Sequence, residues 1–233
     1  MKLQVNKLVK TLEFIGFFAL FIIMMIGYAN AENQYVFKSN TNDQMKIALT
    51  FDDGPHPRKT EKILNILDKY NVKATFFVIG VNVQNYPNVL NKVIDKGHEL
   101  GNHTFSHQIL KSASVNKIKS EILNTEDALY DHYSVTTNLL RPPCGLYDSN
   151  LVDIAKEKGY KIVLWTVDTK DWAHESAGNI VKNVLANVKS GDIILFHDYV
   201  SGNEHTAEAL DILIPKLQEM GYKFVTVSEL LQA

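Results

Sequence analysis

Residues 47–55 read IALTFDDGP, and this stretch leads from an apolar, strand-like segment directly into two adjacent carboxylates and a Gly-Pro turn. Asp52 and Asp53 are costly to hold side by side without a cation. At the end of a strand, one carboxylate can bind a metal ion while the other accepts a proton from water. The alternative is a solvated Asp-Asp-Gly turn without a chemical role. Residues elsewhere in the sequence are needed to distinguish these two interpretations.

Apolar runs of strand length alternate with segments of helical period on the C-terminal side of this stretch. This alternation predicts an α/β protein with about seven parallel strands joined by crossover helices. Periodicity alone leaves a small barrel and an open doubly wound sheet as alternatives. Both architectures place active sites at the carboxyl ends of the strands. The predicted strands are residues 46–51, 74–79, 99–102, 138–140, 161–167, 192–196 and 223–227.

The composition indicates one folded domain. The chain has 233 residues, of which 45% are hydrophobic and 21% are charged. The net charge of −2 and the pI near 6.4 provide no broad basic field, so nucleic acid is excluded as an expected partner. Cys144 is the only cysteine, which rules out an intramolecular disulfide. We expect a monomer.

The first residues have the features of an export signal. Lys2, Lys7 and Lys10 precede an apolar stretch over residues 14–28, and Ala29-Asn30-Ala31 offers small residues for cleavage. We predict a signal peptide over residues 1–31, with an uncleaved membrane anchor as the alternative. A polar linker over residues 32–44 and a catalytic domain over residues 45–233 follow. The domain is therefore expected to be secreted or associated with the cell envelope.

Polar residues recur where the predicted strands end. Because these ends meet at one edge of a parallel sheet, we expect the side chains to form a single site. Recurrence at five strand ends is hard to assign to random solvation. The residues are Asp52 and Asp53, His103 and His107, Arg141, Asp168 and Asp171, and His197.

His103 and His107 are spaced so that a helical turn would place both imidazoles on one side, where they can bind one metal ion. Asp53 can supply a third ligand and leave positions for water and substrate. This donor set suits Zn²⁺ best, with Co²⁺, Ni²⁺ or Mn²⁺ as alternatives. Without a third ligand, two surface or core histidines would be the simpler interpretation.

Three further segments each have a structural and a functional interpretation. Arg141–Gly145 sets a guanidinium before a stiff Pro-Pro turn that can aim a following N–H group, or else forms a rigid loop. Asp168–Trp172 places carboxylates beside an indole, as is common where sugar rings pack, or else contains a structural tryptophan. His197 emerges from a buried-type strand, where a hydrogen-bonded structural histidine is the simpler interpretation.

Taken in order, these motifs closely resemble the polysaccharide deacetylase family, the NodB-homology domain of carbohydrate esterase family 4. The resemblance rests on Thr50–Pro55, His103–His107, Arg141–Gly145, Asp168–Trp172 and Leu195–His197, and it covers nearly all of the expected exported part. It implies a distorted (β/α) barrel and metal-dependent removal of acetyl groups from N-acetylated sugars.

The resemblance also implies a role for each site residue. It assigns the metal to Asp53, His103 and His107, and it makes Asp52 the general base and His197 the general acid. Arg141 would position Asp52, Asp171 would orient His197, Trp172 and Leu195 would line the acetyl pocket, and the backbone N–H of Cys144 would help to form an oxyanion hole. The family often has an aromatic residue where Cys144 stands, so this difference bears on substrate preference.

Several substrates and one noncatalytic role remain open. Export favours a cell-envelope glycan, first peptidoglycan and within it N-acetylglucosamine. Chitin-like oligomers, poly-N-acetylglucosamine and, with ester chemistry, acetylated xylan are alternatives. A noncatalytic sugar-binding module is an alternative of another class. A nucleophilic role for Cys144 is disfavoured, because metal-activated water already supplies the attacking group.

Overall fold

The computed structural model describes residues 14–22, 35–40, 44–202 and 205–232. Most of the predicted signal peptide lies outside the described residues, and its residues 14–22 form an exposed helix, α1. None of the helices that the structure describes combines the length and the apolarity that a membrane crossing needs.

One parallel sheet, curled into a distorted barrel, organises the described chain. Its strands are β1 Val36–Phe37, β2 Lys46–Asp52, β3 Thr75–Val78, β4 Glu99–Asn102, β5 Leu139–Leu140, β6 Lys161–Val163, β7 Val167–Asp168, β8 Ile193–His197 and β9 Lys223–Phe224. They are ordered β1-β6-β5-β4-β3-β2-β8-β7, with β9 pairing with β2. The predicted fold class, a distorted (β/α) barrel in a single domain, is confirmed.

Helices pack around the sheet, and the last of them contributes Val227 and Leu230 to the apolar cluster of Ala48 and Phe77. The helices are α2 Lys59–Lys69, α3 Gly80–Asn85, α4 Pro87–Asp95, α5 Val115–Tyr133, α6 Ser149–Lys158, α7 Ala177–Asn187, α8 His205–Glu219 and α9 Val227–Gln232. The side chains of Ser114, Asp148 and Ser176 accept backbone hydrogen bonds at the starts of α5, α6 and α7. Two short 3₁₀ turns, Pro143–Gly145 and Asp171–Ala173, follow β5 and β7.

Strand alternation in β2 explains how this fold presents polar groups at its carboxyl edge. Ile47, Leu49 and Phe51 pack in the large core between sheet and helices, whereas Ala48 packs in a smaller cluster with Phe77. Since successive side chains point to opposite faces, Thr50 and Asp52 share the face of Ala48 inside the barrel. The same alternation in β8 places Leu195 and His197 on the face of Ile193.

The sheet begins earlier and is more broken than the sequence indicates. β1 lies within the residues predicted as a linker. The sequence does not reveal this strand, because two residues are too few to show a period. β1 pairs with β6, and the nearby Ser39 bridges to Asp192, the residue before β8. The predicted strand over residues 161–167 is two strands, since its first part pairs with β5 and its second with β8.

Candidate active site

A cavity of about 530 Å³ opens at the carboxyl edge of the sheet. Most of the predicted site residues line it: Asp52, Asp53, His103, His107, Cys144, Asp168, Trp172, Leu195 and His197. Arg141 and Asp171, the other two, are fully buried behind the lining. The structure thus brings together side chains from five separate segments of the chain.

Asp53, His103 and His107 form a cluster that could hold a metal ion. One ligand atom from each residue lies within 4.8 Å of the other two. Asp53 Oδ1 is 3.4 Å from Nε2 of His103 and 3.1 Å from Nε2 of His107. The two imidazole rings are tilted to one another, with their centroids 5.0 Å apart. The geometry matches a two-histidine, one-carboxylate donor set.

The hydrogen bonds around this cluster fit a metal better than a self-contained polar network. Among the described residues, Asp53 Oδ1 is a buried oxygen that lacks a hydrogen-bond partner of acceptable geometry. His103 Nδ1 donates to the main-chain oxygen of Arg141 over 2.7 Å, which orients the ring with Nε2 towards Asp53. Burial would raise the pKa of Asp53, but the two imidazoles outweigh it and hold this pKa below its ordinary value. A charged carboxylate beside two imidazole nitrogens is a donor set that suits a divalent cation.

The segment that carries the two histidines is an irregular loop, so the prediction of a shared helical turn is wrong. Thr104 and His107 both have positive φ, 67° and 55°. The loop is fixed from outside instead: Ser106 donates to Glu121 of α5 through its N–H (2.8 Å) and its hydroxyl (2.7 Å). Gly80 lets the loop approach α3, since a Cβ at that position would lie 2.4 Å from the Phe105 ring.

The buried side chain of Arg141 holds Asp52 in position. Nη1 of Arg141 donates to Asp52 Oδ1 over 2.7 Å and to the Thr50 hydroxyl over 2.8 Å. The remaining guanidinium nitrogens donate to the carbonyl oxygens of Val163 and Leu164, and the group lies 4.0 Å from the centroid of Phe77. With Oδ1 engaged, Oδ2 of Asp52 faces the cavity, 3.7 Å from Nε2 of His103.

His197 is held by Asp171. Oδ1 of Asp171 is 2.8 Å from His197 Nδ1, while Oδ2 accepts from the His197 main-chain N–H (2.8 Å) and from Thr206 (2.9 Å). Burial alone would lower the pKa of His197, but Asp171 and the charges of Asp52 and Asp53 raise it to about 9. The imidazole is therefore protonated at neutral pH, with Nε2–H as its remaining donor.

The rest of the cavity wall is aromatic and apolar. Trp172, which is 52% exposed, donates through Nε1 to Asp168. Leu195 also lines the cavity. Trp165 also lines the cavity, and its ring would lie 2.8 Å from a Cβ at Gly145. Cys144, which precedes Gly145, is exposed, lines the same cavity and has a φ of 58°.

Sequence reasoning gave no role to several supporting residues. Thr50 accepts from Arg141, Glu121 holds the loop of His103 and His107, and Thr206 donates to Asp171. Glu121 and Thr206 lie far from these residues in the sequence, so only the fold reveals the contacts. Asp198, next to His197, is buried against Gly54 and accepts from the Thr60 hydroxyl over 2.6 Å. Burial raises the pKa of Asp198 to about 7. Its adjacency to His197 was the one signal available in the sequence.

Comparison with known proteins identifies the family. The family model described as polysaccharide deacetylase matches residues 39–163, more than half of the chain. The chain is 41% identical over 200 residues to a peptidoglycan-N-acetylglucosamine deacetylase of Bacillus cereus, covering 85% of this chain and 93% of that protein. The chain belongs to the polysaccharide deacetylase family.

Other members of the polysaccharide deacetylase family are similar at the levels of sequence and structure. A peptidoglycan-N-acetylglucosamine deacetylase of Listeria monocytogenes is 39% identical over 193 residues, which are 83% of this chain but 40% of that longer protein. A crystal structure of a peptidoglycan N-acetylglucosamine deacetylase has a TM-score of 0.83 at 37% identity, covering 86% of this chain and 95% of the other. The family resemblance inferred from the motifs is thereby confirmed.

Proposed function

We propose that this protein is a metal-dependent hydrolase that removes N-acetyl groups from N-acetylglucosamine units of peptidoglycan and releases acetate. One observation carries the proposal: a carboxylate held by Arg141 and a histidine held by Asp171 line the same cavity as the three candidate metal ligands. The names of the similar Bacillus and Listeria proteins support the choice of glycan.

Asp53, His103 and His107 would hold the metal ion. Two imidazole nitrogens and one carboxylate oxygen suit Zn²⁺ best, and they also accommodate Co²⁺, Ni²⁺ or Mn²⁺. When bound, the cation would activate water and polarise the acetyl carbonyl group. His103 is prepared for this role by its hydrogen bond to Arg141, which fixes the ring orientation and leaves Nε2 as the ligand atom.

Asp52 acts as the general base in this proposal. Arg141 holds Oδ1, so Oδ2 is presented to the cavity on the side of the metal ligands. There it accepts the proton of the water molecule that attacks the acetyl carbonyl carbon. The backbone N–H of Cys144 would donate to the resulting oxyanion, and one such donor typically lowers a barrier by about 2.7–4 kcal/mol.

His197 acts as the general acid. Its Nδ1 is engaged by Asp171, so Nε2–H is the donor that protonates the leaving amine when the C–N bond breaks. The raised pKa keeps this proton in place at neutral pH. Trp172 and Leu195 line the cavity where the methyl of the acetyl group would pack. The products are acetate and a glucosamine unit with a free amine.

We also propose that the protein acts outside the cytoplasm. The basic and apolar start of the chain and the small residues Ala29 and Ala31 support a signal peptide over residues 1–31, with an uncleaved anchor as the alternative. Export would bring the domain to the cell-envelope glycan. We propose that it acts there as a monomer.

The test is acetate release from purified peptidoglycan, chitooligosaccharides and acetylxylan, compared under the same conditions with metal-replete protein. We expect release from peptidoglycan, with mass spectrometry locating the new amine on the glucosamine rather than the muramic acid residue. Chelation should stop the reaction, and added Zn²⁺ should restore it. Faster release from chitooligosaccharides or acetylxylan would reassign the substrate. Glycan binding without acetate release would indicate a noncatalytic sugar-binding module.

A further inference from the structure

Glu121 is a buried carboxylate that takes no part in the proposed acid–base chemistry. It lies in the first half of α5 and is 3% exposed. A buried charge destabilises a folded protein unless it is paired and hydrogen-bonded. The partners of Glu121 therefore show why the fold keeps a charge at this position.

Glu121 binds Lys117 and Ser106, a residue of the histidine loop, which comprises residues 103–107. Oε2 accepts from the Ser106 N–H over 2.8 Å, and Oε1 accepts from the Ser106 hydroxyl over 2.7 Å and from Lys117 Nζ over 2.8 Å. Burial would raise the pKa of Glu121, but Lys117 and Ser106 outweigh it and lower this pKa, so the carboxylate is charged at neutral pH. Hydrogen bonds to a charged acceptor are stronger than those between neutral groups. Both carboxylate oxygens thus hold the residue that directly precedes His107.

Two helices fix the main chain of the histidine loop from outside. Two carbonyl oxygens of the loop accept from N–H groups at the start of α3, over 3.0 Å between Thr104 and Gly80 and over 2.9 Å between Phe105 and Val81. These bonds hold the first half of the loop on α3, whereas the bonds of Glu121 hold the second half on α5. The carboxylate is therefore the support that lies next to the second histidine.

His107 depends on this support more than His103 does. The His107 side chain is 38% exposed, against 3% for His103, whose Nδ1 is fixed by the main-chain oxygen of Arg141. The main chain of His107 has a φ of 55°, a conformation that costs a non-glycine residue about 1–3 kcal/mol and persists only where neighbouring groups hold it. The position of the His107 imidazole beside Asp53 therefore depends on the bonds that Ser106 makes.

We propose that Glu121 is a positioning residue for the metal site: it holds His107 through Ser106 and thereby sets the affinity of the site for a divalent cation. The carboxylate acts at one remove, since it binds the loop rather than the cation. Loss of such an outer-shell partner typically weakens metal binding about 10- to 100-fold. This inference rests on the proposed function, because it assumes that Asp53, His103 and His107 hold a metal ion.

The test measures metal affinity rather than activity. Zinc-loaded protein would be titrated with a chromophoric chelator that competes for Zn²⁺. Glu121→Ala should bind Zn²⁺ about 10- to 100-fold more weakly than the unaltered protein. Glu121→Gln should retain most of the affinity, because its amide oxygen can accept from the Ser106 N–H while its NH₂ group donates to the hydroxyl. Glu157→Ala, which removes an exposed carboxylate of α6 paired with Lys119, is the matched control.

Ser106→Ala keeps the test decisive if Glu121→Ala fails to fold, because it changes the loop and leaves α5 intact. It removes one of the two bonds to Glu121, so it should weaken Zn²⁺ binding about two- to tenfold. In both variants the increase in unfolding free energy that Zn²⁺ produces should shrink. A merely structural role would lower the stability of zinc-free and zinc-loaded protein equally and leave the Zn²⁺ affinity unchanged.

Two results would overturn the positioning role of Glu121. One is unchanged Zn²⁺ affinity in Glu121→Ala, or in Ser106→Ala where the first variant does not fold. The other is an equal loss in Glu121→Gln, since the negative charge rather than the hold on Ser106 would then be responsible. Zn²⁺ binding that depends on Glu121, without acetate release from any glycan, would keep this inference and refute the deacetylase proposal. Acetate release with no effect of Glu121→Ala on Zn²⁺ affinity would do the reverse.

Discussion

The main-chain oxygen of Arg141 accepts a hydrogen bond from Nδ1 of His103 over 2.7 Å, while the guanidinium group of the same residue donates to Asp52 over 2.7 Å. Since a carbonyl oxygen can only accept, Nδ1 of His103 carries a proton, and Nε2 is the ring nitrogen that faces Asp53 and could bind a metal ion. A single buried residue therefore orients both a candidate metal ligand and the candidate base.

Asp52→Asn should abolish most turnover and leave the metal in place. An asparagine oxygen can still accept from Arg141, so the geometry is preserved while the basic oxygen is lost. Loss of a general base typically costs about 10²- to 10⁴-fold in rate. Acetate release and elemental analysis measure the two effects, with Asp153→Asn on the exposed side of α6 as the control. A near wild-type rate would contradict the assignment of Asp52 as the base.

His103→Ala should weaken metal binding. Losing a direct ligand is expected to cost more than the roughly 10- to 100-fold that follows the loss of an outer-shell partner. The metal content after dialysis, measured by elemental analysis, tests this expectation. His132→Ala, at an exposed position of α5, should retain the wild-type content. If His103→Ala retained it too, His103 would not be a ligand.

Asp171→Asn should move the alkaline limit of activity to lower pH. The acid works only while His197 is protonated, so kcat/KM falls as pH rises through the His197 pKa, which Asp171 helps to raise to about 9. Removing the adjacent negative charge lowers that pKa, and we expect the limit to move down by about one to three pH units. The pH profile of acetate release gives the measurement. Asp168→Asn, which changes a carboxylate not bonded to His197, should leave the limit in place.

His98 should make the protein less stable in mild acid. Burial and then the charge of Lys73 lower the pKa of His98 from 6.5 to about 4. Between these values the unfolded chain binds a proton that the folded protein does not, so the free energy of unfolding falls as pH drops through this window. The loss should be on the order of 3 kcal/mol.

Denaturant unfolding at several pH values tests this prediction. His98→Gln should flatten the pH dependence between pH 4 and 6.5, whereas His132→Gln should not. An equally steep dependence in His98→Gln would assign the acid sensitivity to other groups. The comparison is needed because several carboxylates and histidines of the cavity titrate as well.

Gly54→Ala should destabilise the protein. A Cβ at this position would lie 1.9 Å from Oδ2 of Asp198, a buried carboxyl group that accepts from the Thr60 hydroxyl. Overpacking of this kind typically costs about 1–3 kcal/mol. Gly178→Ala is the matched control, because a Cβ there meets nothing within 4 Å, and an alanine in α7 should add about 0.5–1 kcal/mol of stability. Similar unfolding free energies for the two variants would show that the Asp198 contact relaxes readily.

The sequence was most informative where polar residues directly follow apolar strands. Asp52 and His197 are predicted as site residues because each directly follows an apolar run of strand length, and the parallel sheet does bring both to one cavity. Short strands were the weak point. β1 has two residues, and no periodicity can be read from so few.

Contacts between distant segments could not be derived from the sequence. Glu121 supports the histidine loop from a helix, and Thr206 braces Asp171 from across 35 residues. The conformation of the loop that carries His103 and His107 could not be predicted either, because His107 has a positive φ although it is not a glycine. Spacing alone therefore suggested a helical turn that the chain does not form.

Because Arg141 is buried, the residues that align Asp52 are different from the exposed residues that would contact the glycan. The guanidinium group is anchored to Thr50, Phe77 and two main-chain oxygens inside the barrel, so the alignment of Asp52 is a property of the core. Trp172 and Tyr199, which line the cavity, belong to surface loops that this anchorage does not touch. Substitutions in these loops could therefore change which glycan binds without altering the position of Asp52.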